Sequence, residues 1–396
     1  MTAYYGVTDA GTGEPVTSET LFSVGSLTKS MVATVIAYLD DARRLSFDDP
    51  VTAHVPELRN SGWAAEVTLR DLLANRSRLP LRDASEFGFA ARPKDDDGAL
   101  ARLVAGLAAE PATADVWSYT NAGWCVLGRV IETATGTSWE DAMRRDLFDR
   151  AGMRDTTFAT AAPLTRRARG HQIAAGRPVP VKPLIARAYG PAGSSAVCTV
   201  TDLLRFAALH LGDRALAALR AVHADVSIYG WFDSWCLGWA SFDWTGEQTW
   251  GWDGLINGER SILRILPGRQ AAVALMTNGS TGRAMYRSLF AELMASSFRI
   301  RIPRLVLDAT PSAAGDLSRF VGCYAWPDWQ IDVTLTRRGL CIESEGDAVD
   351  ALALNDRTFL LDPRDPDAPT VTFGAFDPAG RPQVLYNMLW GLPRQD

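Results

Sequence analysis

The sequence predicts an α/β fold: an antiparallel sheet flanked by helices, carrying a helical insertion, followed by a small C-terminal antiparallel β domain. Three observations predict it. Strand signals stand near the start and after residue 225 of the first 300 residues, with helical periodicity between them. The length of 396 residues is too great for one ordinary domain and calls for a large unit plus a smaller one. From about residue 313 the pattern turns to short alternating strands divided by turns. The expected division is a unit over 1–300, with its helical insertion over about 50–225, and a small barrel or sandwich over 313–396.

The elements follow in order. Residues 21–45 read as a strand end, a turn and a helix, because Met31, Val32, Val35, Ile36 and Leu39 recur at helical spacing. Asp48-Asp49-Pro50 marks a turn, and residues 66–74 a short helix opened by Thr68. The polar run Glu86 to Gly98 is a loop, and Leu100 to Ala109 a short amphipathic helix. Residues 122–134 and 138–151 are helices, whereas 159–195, with Pro163, Pro178, Pro180, Pro183 and Pro191, is irregular. Thr201 to Leu211 is a helix with Thr201 as its N-cap. Strands over 235–243, 259–266 and 270–277 surround loops carrying Gly251, Gly254 and Gly258, and Pro267-Gly268 makes a hairpin turn. A helix over 284–297 ends the larger unit. Strands then recur near 331–336, 340–343, 350–354, 357–361, 369–374 and 383–388.

Composition excludes several functions. Hydrophobic residues make up 47% and charged residues 22%, as in an ordinary soluble globular protein. A net charge of −6 without a large basic block makes nucleic acid a poor partner. Cys125, Cys198, Cys236, Cys323 and Cys341 are scattered and never form a CxxC pair, so neither a disulfide framework nor a zinc site is expected. No metal or cofactor is implied. No stretch reaches the length of a membrane span, and residues 1–15 lack a basic and an apolar leader region, so the chain is expected to be soluble and cytoplasmic with no membrane partner. None of His54, His171, His210 and His223 sits beside a GxSxG elbow, and there is no HExxH, which argues against a Ser-His-Asp triad and a zinc hydrolase.

Three short motifs carry the chemistry. In Ser26-Leu27-Thr28-Lys29 the i, i+3 spacing puts a hydroxyl and an amine on one face of the first helical turn. A serine hydroxyl is a weak nucleophile until a base takes its proton, and a lysine is such a base when its surroundings lower its proton affinity. The helix N-terminus disfavours positive charge and offers N–H groups to a developing oxyanion. Tyr119-Thr120-Asn121 sets a phenol and an amide two residues apart. Trp250-Gly251-Trp252-Asp253-Gly254 has glycines where backbone can approach a ligand closely. Each motif alone is weak: solvated lysines, buried tyrosines and turn asparagines are ordinary.

Together they resemble the SxxK serine hydrolases, a family of class C β-lactamases, penicillin-binding DD-peptidases, family VIII esterases and related transacylases. The resemblance spans roughly residues 12–298. Further landmarks keep the family's order: Leu45 to Val51, Val67 to Leu73, Gly152-Met153 with Thr156-Thr157-Phe158, Ala192-Gly193 through Leu203, and Thr277-Asn278-Gly279. The resemblance implies that Ser26, Lys29, Tyr119 and Asn121 are catalytic and that the backbone N–H groups of Ser26 and Leu255 bind the oxyanion. It sets Trp252, Asp253 and Gly254 at the substrate.

The departures shape the expected function. Trp252 stands where the family usually has Lys or His to hold a substrate carboxylate, so an uncharged acyl substrate is expected. Trp-x-Gly is similar to some family VIII esterases and to acyltransferases of secondary metabolism. The family's His-Thr-Ser-Gly-Leu-Pro is Asn75-Arg76-Ser77-Arg78-Leu79-Pro80 here, with Arg76 and Arg78 read as surface residues. The chain also begins late relative to the family, so either the true start lies upstream or the sheet has lost an edge. Trp231, Trp235, Trp239, Trp244, Trp250 and Trp252 fall close together; core packing accounts for most, and any lining the pocket would shield an acyl-enzyme from water. The expected activity is transfer of an acyl group from a small-molecule ester or amide, through Ser26, to an amine, an alcohol or water, in antibiotic or other secondary metabolism. A DD-peptidase or β-lactamase-like hydrolase is the alternative, and a penicillin-recognising sensor or pseudoenzyme the third reading.

Overall fold

The computed structural model describes residues 1–79, 96–183, 185–224, 226–228, 230–279, 282–302, 316–327, 329–362 and 369–395. Pro80, residues 86–95 of the expected loop and residues 313–315 lie outside them.

The larger unit is built around α1 (Leu27–Asp41), whose residues from Leu27 to Leu39 are all buried. Such a helix must satisfy its polar groups internally. Ser30 Oγ donates to Gly238 O at 2.6 Å, and Thr34 Oγ1 to Ser30 O at 2.8 Å. The other helices of this unit are α2 (Val51–His54), α3 (Leu69–Leu73), α4 (Ala99–Gly106), α5 (Asn121–Thr135), α6 (Trp139–Met143), α7 (Asp149–Ala151), α8 (Val200–Gly212) and α9 (Gly282–Leu293). Thr68 opens α3 as expected, through a reciprocal capping box with Asp71. α8 differs from expectation at its start. Thr199, not Thr201, is the cap, accepting from Asp202 N–H at 3.2 Å, because the helix begins at Val200, two residues before a Thr201 cap would start it.

β1 (Phe22–Ser23) and β2 (Thr157–Phe158) flank β5 (Ala196–Cys198) in a small sheet. Residues 159–195 are less irregular than expected: β3 (His171–Ala174) and β4 (Arg177–Pro180) form a hairpin. Its turn residues Ala175 and Gly176 both have positive φ, at 50° and 74°, and Pro178 and Pro180 are tolerated in an isolated two-stranded ribbon.

The main sheet is wholly antiparallel, in the order β10 (Ala271–Thr277), β9 (Glu259–Leu266), β8 (Glu247–Ile256), β7 (Ala240–Trp244), β6 (Ser234–Trp235). β8 covers residues expected to be loop. Its glycines do not break the strand; they thin it where other backbone comes close.

The C-terminal part is an antiparallel barrel. β11 (Gly322–Trp326), β12 (Trp329–Thr336), β13 (Gly339–Ser344), β14 (Asp347–Ala353), β15 (Thr358–Leu360), β16 (Thr370–Phe376), β17 (Pro382–Asn387) and β18 (Trp390–Pro393) pair in chain order. A bridge between Tyr324 and Arg394 and the bond from Gln395 N–H to Cys323 O at 2.9 Å join the last strand to the first. The interior is filled by Phe320, Tyr324, Ile331, Phe359, Phe373 and Leu385 among others, so this is a packed core. β11 and β18 were not expected; both are short and carry glycine.

Candidate active site

β1 delivers the chain to Gly25, whose φ of 60° turns it into α1. Ser26 occupies the N-cap position, where serine normally bonds a backbone N–H of the first turn. Here its side chain makes no cap bond. Its Oγ instead lies 3.2 Å from Lys29 Nζ, one helical turn on.

Lys29 is wholly buried. Its Nζ has three neighbours: Asn121 Oδ1 at 2.8 Å, Ala192 O at 2.6 Å and Ser26 Oγ. The amide oxygen and the carbonyl only accept. A neutral amine meets both with its two N–H groups and is left with a lone pair, and the third direction is Ser26 Oγ. The arrangement suits a base for the Ser26 proton. Among the described residues no carboxylate bonds Lys29. Lys29, Lys94 and Lys182 are the lysines of this sequence, all other basic side chains apart from histidine being arginines. An arginine cannot give up its proton in a protein, and that scarcity is a compositional signal for Lys29.

Thr120 caps α5, accepting from Ala122 N–H at 3.2 Å, and thereby sets Tyr119 just before the helix and Asn121 as its first residue. The Tyr119 ring centroid is 4.8 Å from Lys29 Nζ. Its hydroxyl accepts from Trp252 Nε1 at 3.4 Å, leaving the phenol proton to donate elsewhere. Trp252 packs on Tyr119 at 5.6 Å and edge-on to Trp235 at 4.8 Å, and Phe232 and Trp117 complete the aromatic wall.

β7 pairs with β8 only as far as Gly251, so Trp252 to Ile256 run on past it toward the start of α1. There the backbones nearly touch. A Cβ on Gly25 would stand 2.8 Å from Leu255 N and 2.9 Å from Gly254 Cα, and one on Gly254 would collide with Val24 O. Ser261 Oγ, opposite Gly254 on β9, also donates to Val24 O. Gly193 does the same on another side: its Cβ would collide with Gly25 and lie 2.8 Å from Ser26 N. The glycines bring the Leu255 N–H and the Ser26 turn together.

Ser26, Lys29, Tyr119 and Asn121 are thus gathered at one point, with Leu255 N beside them. Trp252 is 3% exposed and reaches this point through Tyr119. Asp253 departs from the expectation that it faces substrate. It lies on the opposite face of β8, where Arg264 Nη1 bonds its carboxylate at 2.7 Å. Arg76 and Arg78 are taken up by Asp115 and Glu66, as surface residues would be. Of the tryptophans, Trp239 packs on Phe206 and His210, away from Tyr119. No motif or spacing in the sequence points to Glu259. Its buried carboxylate accepts from Ser23 N–H at 2.8 Å and Ser23 Oγ at 2.7 Å, three residues before Ser26. Burial pushes its pKa up to about 7, against the opposing pull of Ser23 and the charge of Arg167. Among the described residues no group of three or more His, Cys, Asp or Glu is placed to hold a metal ion.

The β-lactamase family pattern matches residues 1–293. The chain belongs to the β-lactamase family. It is similar to penicillin-binding protein 4 of Amycolatopsis lactamdurans, 33% identical over 344 residues that cover 81% of this chain and 88% of that one. Esterase EstB of Burkholderia gladioli is 33% identical over 196 residues, 45% of this chain and 47% of its own. The crystal structure of SurE is similar along 98% of this chain and 90% of that chain, at 28% identity and a TM-score of 0.79. A structure of SurE with D-Leu aligns at 27% identity and 0.76, covering 98% of this chain and 91% of that one. This β-lactamase-family chain is therefore a β-lactamase-like serine hydrolase in fold and family, and the barrel is part of that likeness.

Proposed function

We propose that the chain is a serine transacylase or esterase that forms an acyl-enzyme on Ser26 and passes the acyl group to an amine, an alcohol or water. The observation that carries this reading is the buried Lys29 amine, bonded by no carboxylate among the described residues and directed at Ser26 Oγ. Ser26 Oγ attacks the acyl carbonyl while Lys29 Nζ, with Tyr119 as its partner, takes the hydroxyl proton. The carbonyl oxygen gains negative charge between the N–H groups of Ser26 and Leu255. When the tetrahedral adduct collapses, the proton passes through Tyr119 to the leaving group. The acceptor then gives its proton back along the same route and takes the acyl group from Ser26.

The aromatic wall favours acceptor discrimination against water, because it replaces solvent beside the acyl ester with apolar surface. Trp252 in place of a cation favours a donor without a carboxylate at that position. SurE with D-Leu supports a D-configured aminoacyl group as the one transferred. These features together favour a role in antibiotic or other secondary metabolism. The test is turnover of matched D- and L-aminoacyl p-nitrophenyl esters with and without an added amine. The reading expects faster release from the D-ester, and amide product in preference to free acid. Equal rates for both esters with acid as the only product would reduce the assignment to an unselective esterase.

A second reading, a penicillin-recognising protein, is favoured by the 33% identity to penicillin-binding protein 4. Stable acylation of Ser26 by penicillin without ester turnover would select it.

A further inference from the structure

The loop carrying Tyr119 is gripped from two sides. On one, Asn75 O accepts the Ser118 N–H at 2.9 Å. On the other stands the barrel, through the hairpin of β17 and β18. Leu389 O accepts the Tyr119 N–H at 2.9 Å, and Gly391 N–H donates to Ser118 Oγ at 3.3 Å. The Tyr386 ring meets Trp117 edge-on at 6.2 Å. Val384, Tyr386 and Leu389 are buried in the core of the larger unit, not in the barrel's own. Gly391 is the closest point: a Cβ there would run into Trp117 O, a backbone atom that cannot swing aside.

We infer that the β17–β18 hairpin is a positioning element of the active site, through which the C-terminal barrel sets the direction of the Tyr119 phenol. The inference rests on the proposed role of Tyr119. The phenol has one long bond, to Trp252, so its aim depends on the backbone at 119. The Tyr119 N–H is satisfied by the barrel, and a buried N–H deprived of its partner costs enough to move the loop. A displacement of about 1 Å at such a group costs about 10²-fold in rate. Leu389 and Gly391 touch no reacting atom; they act through Tyr119.

The test compares Gly391→Ala with Gly346→Ala in the full chain. Gly346 lies in the β13–β14 turn with a φ of 88° and open space around it, so its alanine strains the barrel far from Trp117. Two readouts are taken: hydrogen exchange at the Tyr119 amide, without substrate, and the pH profile of kcat for an activated ester. Gly391→Ala is expected to speed Tyr119 exchange about tenfold or more, to lower kcat about 10²-fold with little change in KM, and to shift the pH optimum. Gly346→Ala is expected to lower Tm while leaving Tyr119 exchange and the profile in place. Unchanged Tyr119 exchange in Gly391→Ala, or the same changes in both variants, would overturn the inference. Should Gly391→Ala not fold, Leu389→Ala loosens the same hairpin by truncating its buried side chain and is read against the same control. The exchange readout needs no turnover, so an inactive wild type would refute the acyl-transfer reading and leave the hairpin to be judged on exchange alone.

Discussion

A lysine that must work as a base has to be kept from carboxylates and from water, and Lys29 meets both conditions with two neutral acceptors and complete burial. Lys29→Arg keeps a basic side chain but one that stays protonated and has no lone pair to offer. It is expected to lower kcat/KM for an activated ester by about 10²–10⁴-fold, and a loss under threefold would contradict the base role. Trp252 makes a second case. Trp252→His restores a side chain able to carry positive charge beside Tyr119. Penicillin acylation should become faster relative to neutral-ester turnover, at a cost of roughly 1–3 kcal/mol in unfolding free energy. Competition kinetics measures the ratio, and an unchanged ratio would mean that this position does not select the donor. At this scale the sequence was informative where chemistry is local. Ser26 and Lys29 share one helical turn, and Tyr119 and Asn121 flank one cap. It was silent where the partner comes from another strand: nothing around Asp253 reveals that Arg264 lies across the sheet to claim it, and nothing around Glu259 points to Ser23.

β8 shows what strand signals miss. Trp250, Gly251 and Trp252 stand side by side with Gly254 two residues on, and a glycine-rich stretch reads as loop unless one knows that another backbone presses on it. Gly254 is there because Val24 O occupies the space of a side chain. Gly254→Ala must push β8 away from the Ser26 turn and carry the Leu255 N–H with it. An oxyanion donor lost in this way is worth about 10²–10³ in kcat, and kcat/KM for the ester should fall by that order while the unfolding transition persists. Retained turnover would remove Leu255 N–H from the mechanism. The helices were more legible, because capping and apolar spacing are local: α3 starts at its expected threonine, and α8 misses by two residues only because Thr199 and Thr201 are both able to cap. Six of the barrel strands were legible from their alternation; β11 and β18, which close the barrel, are short, carry Gly322 and Gly391, and gave no strand signal.

Among the described residues the two largest cores are joined where the barrel's last hairpin enters the larger one, a junction that no local pattern announces. Its stability should depend on pH through Glu259. The folded pKa is raised from the ordinary 4.5 to about 7, so the folded state keeps a proton that the unfolded state has lost between those values. That contribution is complete below pH 4.5 and declines as pH rises through about 7. Glu259→Gln retains an acceptor for Ser23 and should flatten the decline in urea midpoint across this window; an unchanged slope would assign the dependence to other groups. The proposed function stands or falls on an acyl-enzyme at Ser26 that a nucleophile other than water discharges. Intact-protein mass spectrometry after mixing with a D-aminoacyl activated ester detects that species. A mass gain of one acyl group is expected on the wild type and none on Ser26→Ala, with faster discharge when an amine is added. An unmodified wild type, or the same mass gain on Ser26→Ala, would contradict it.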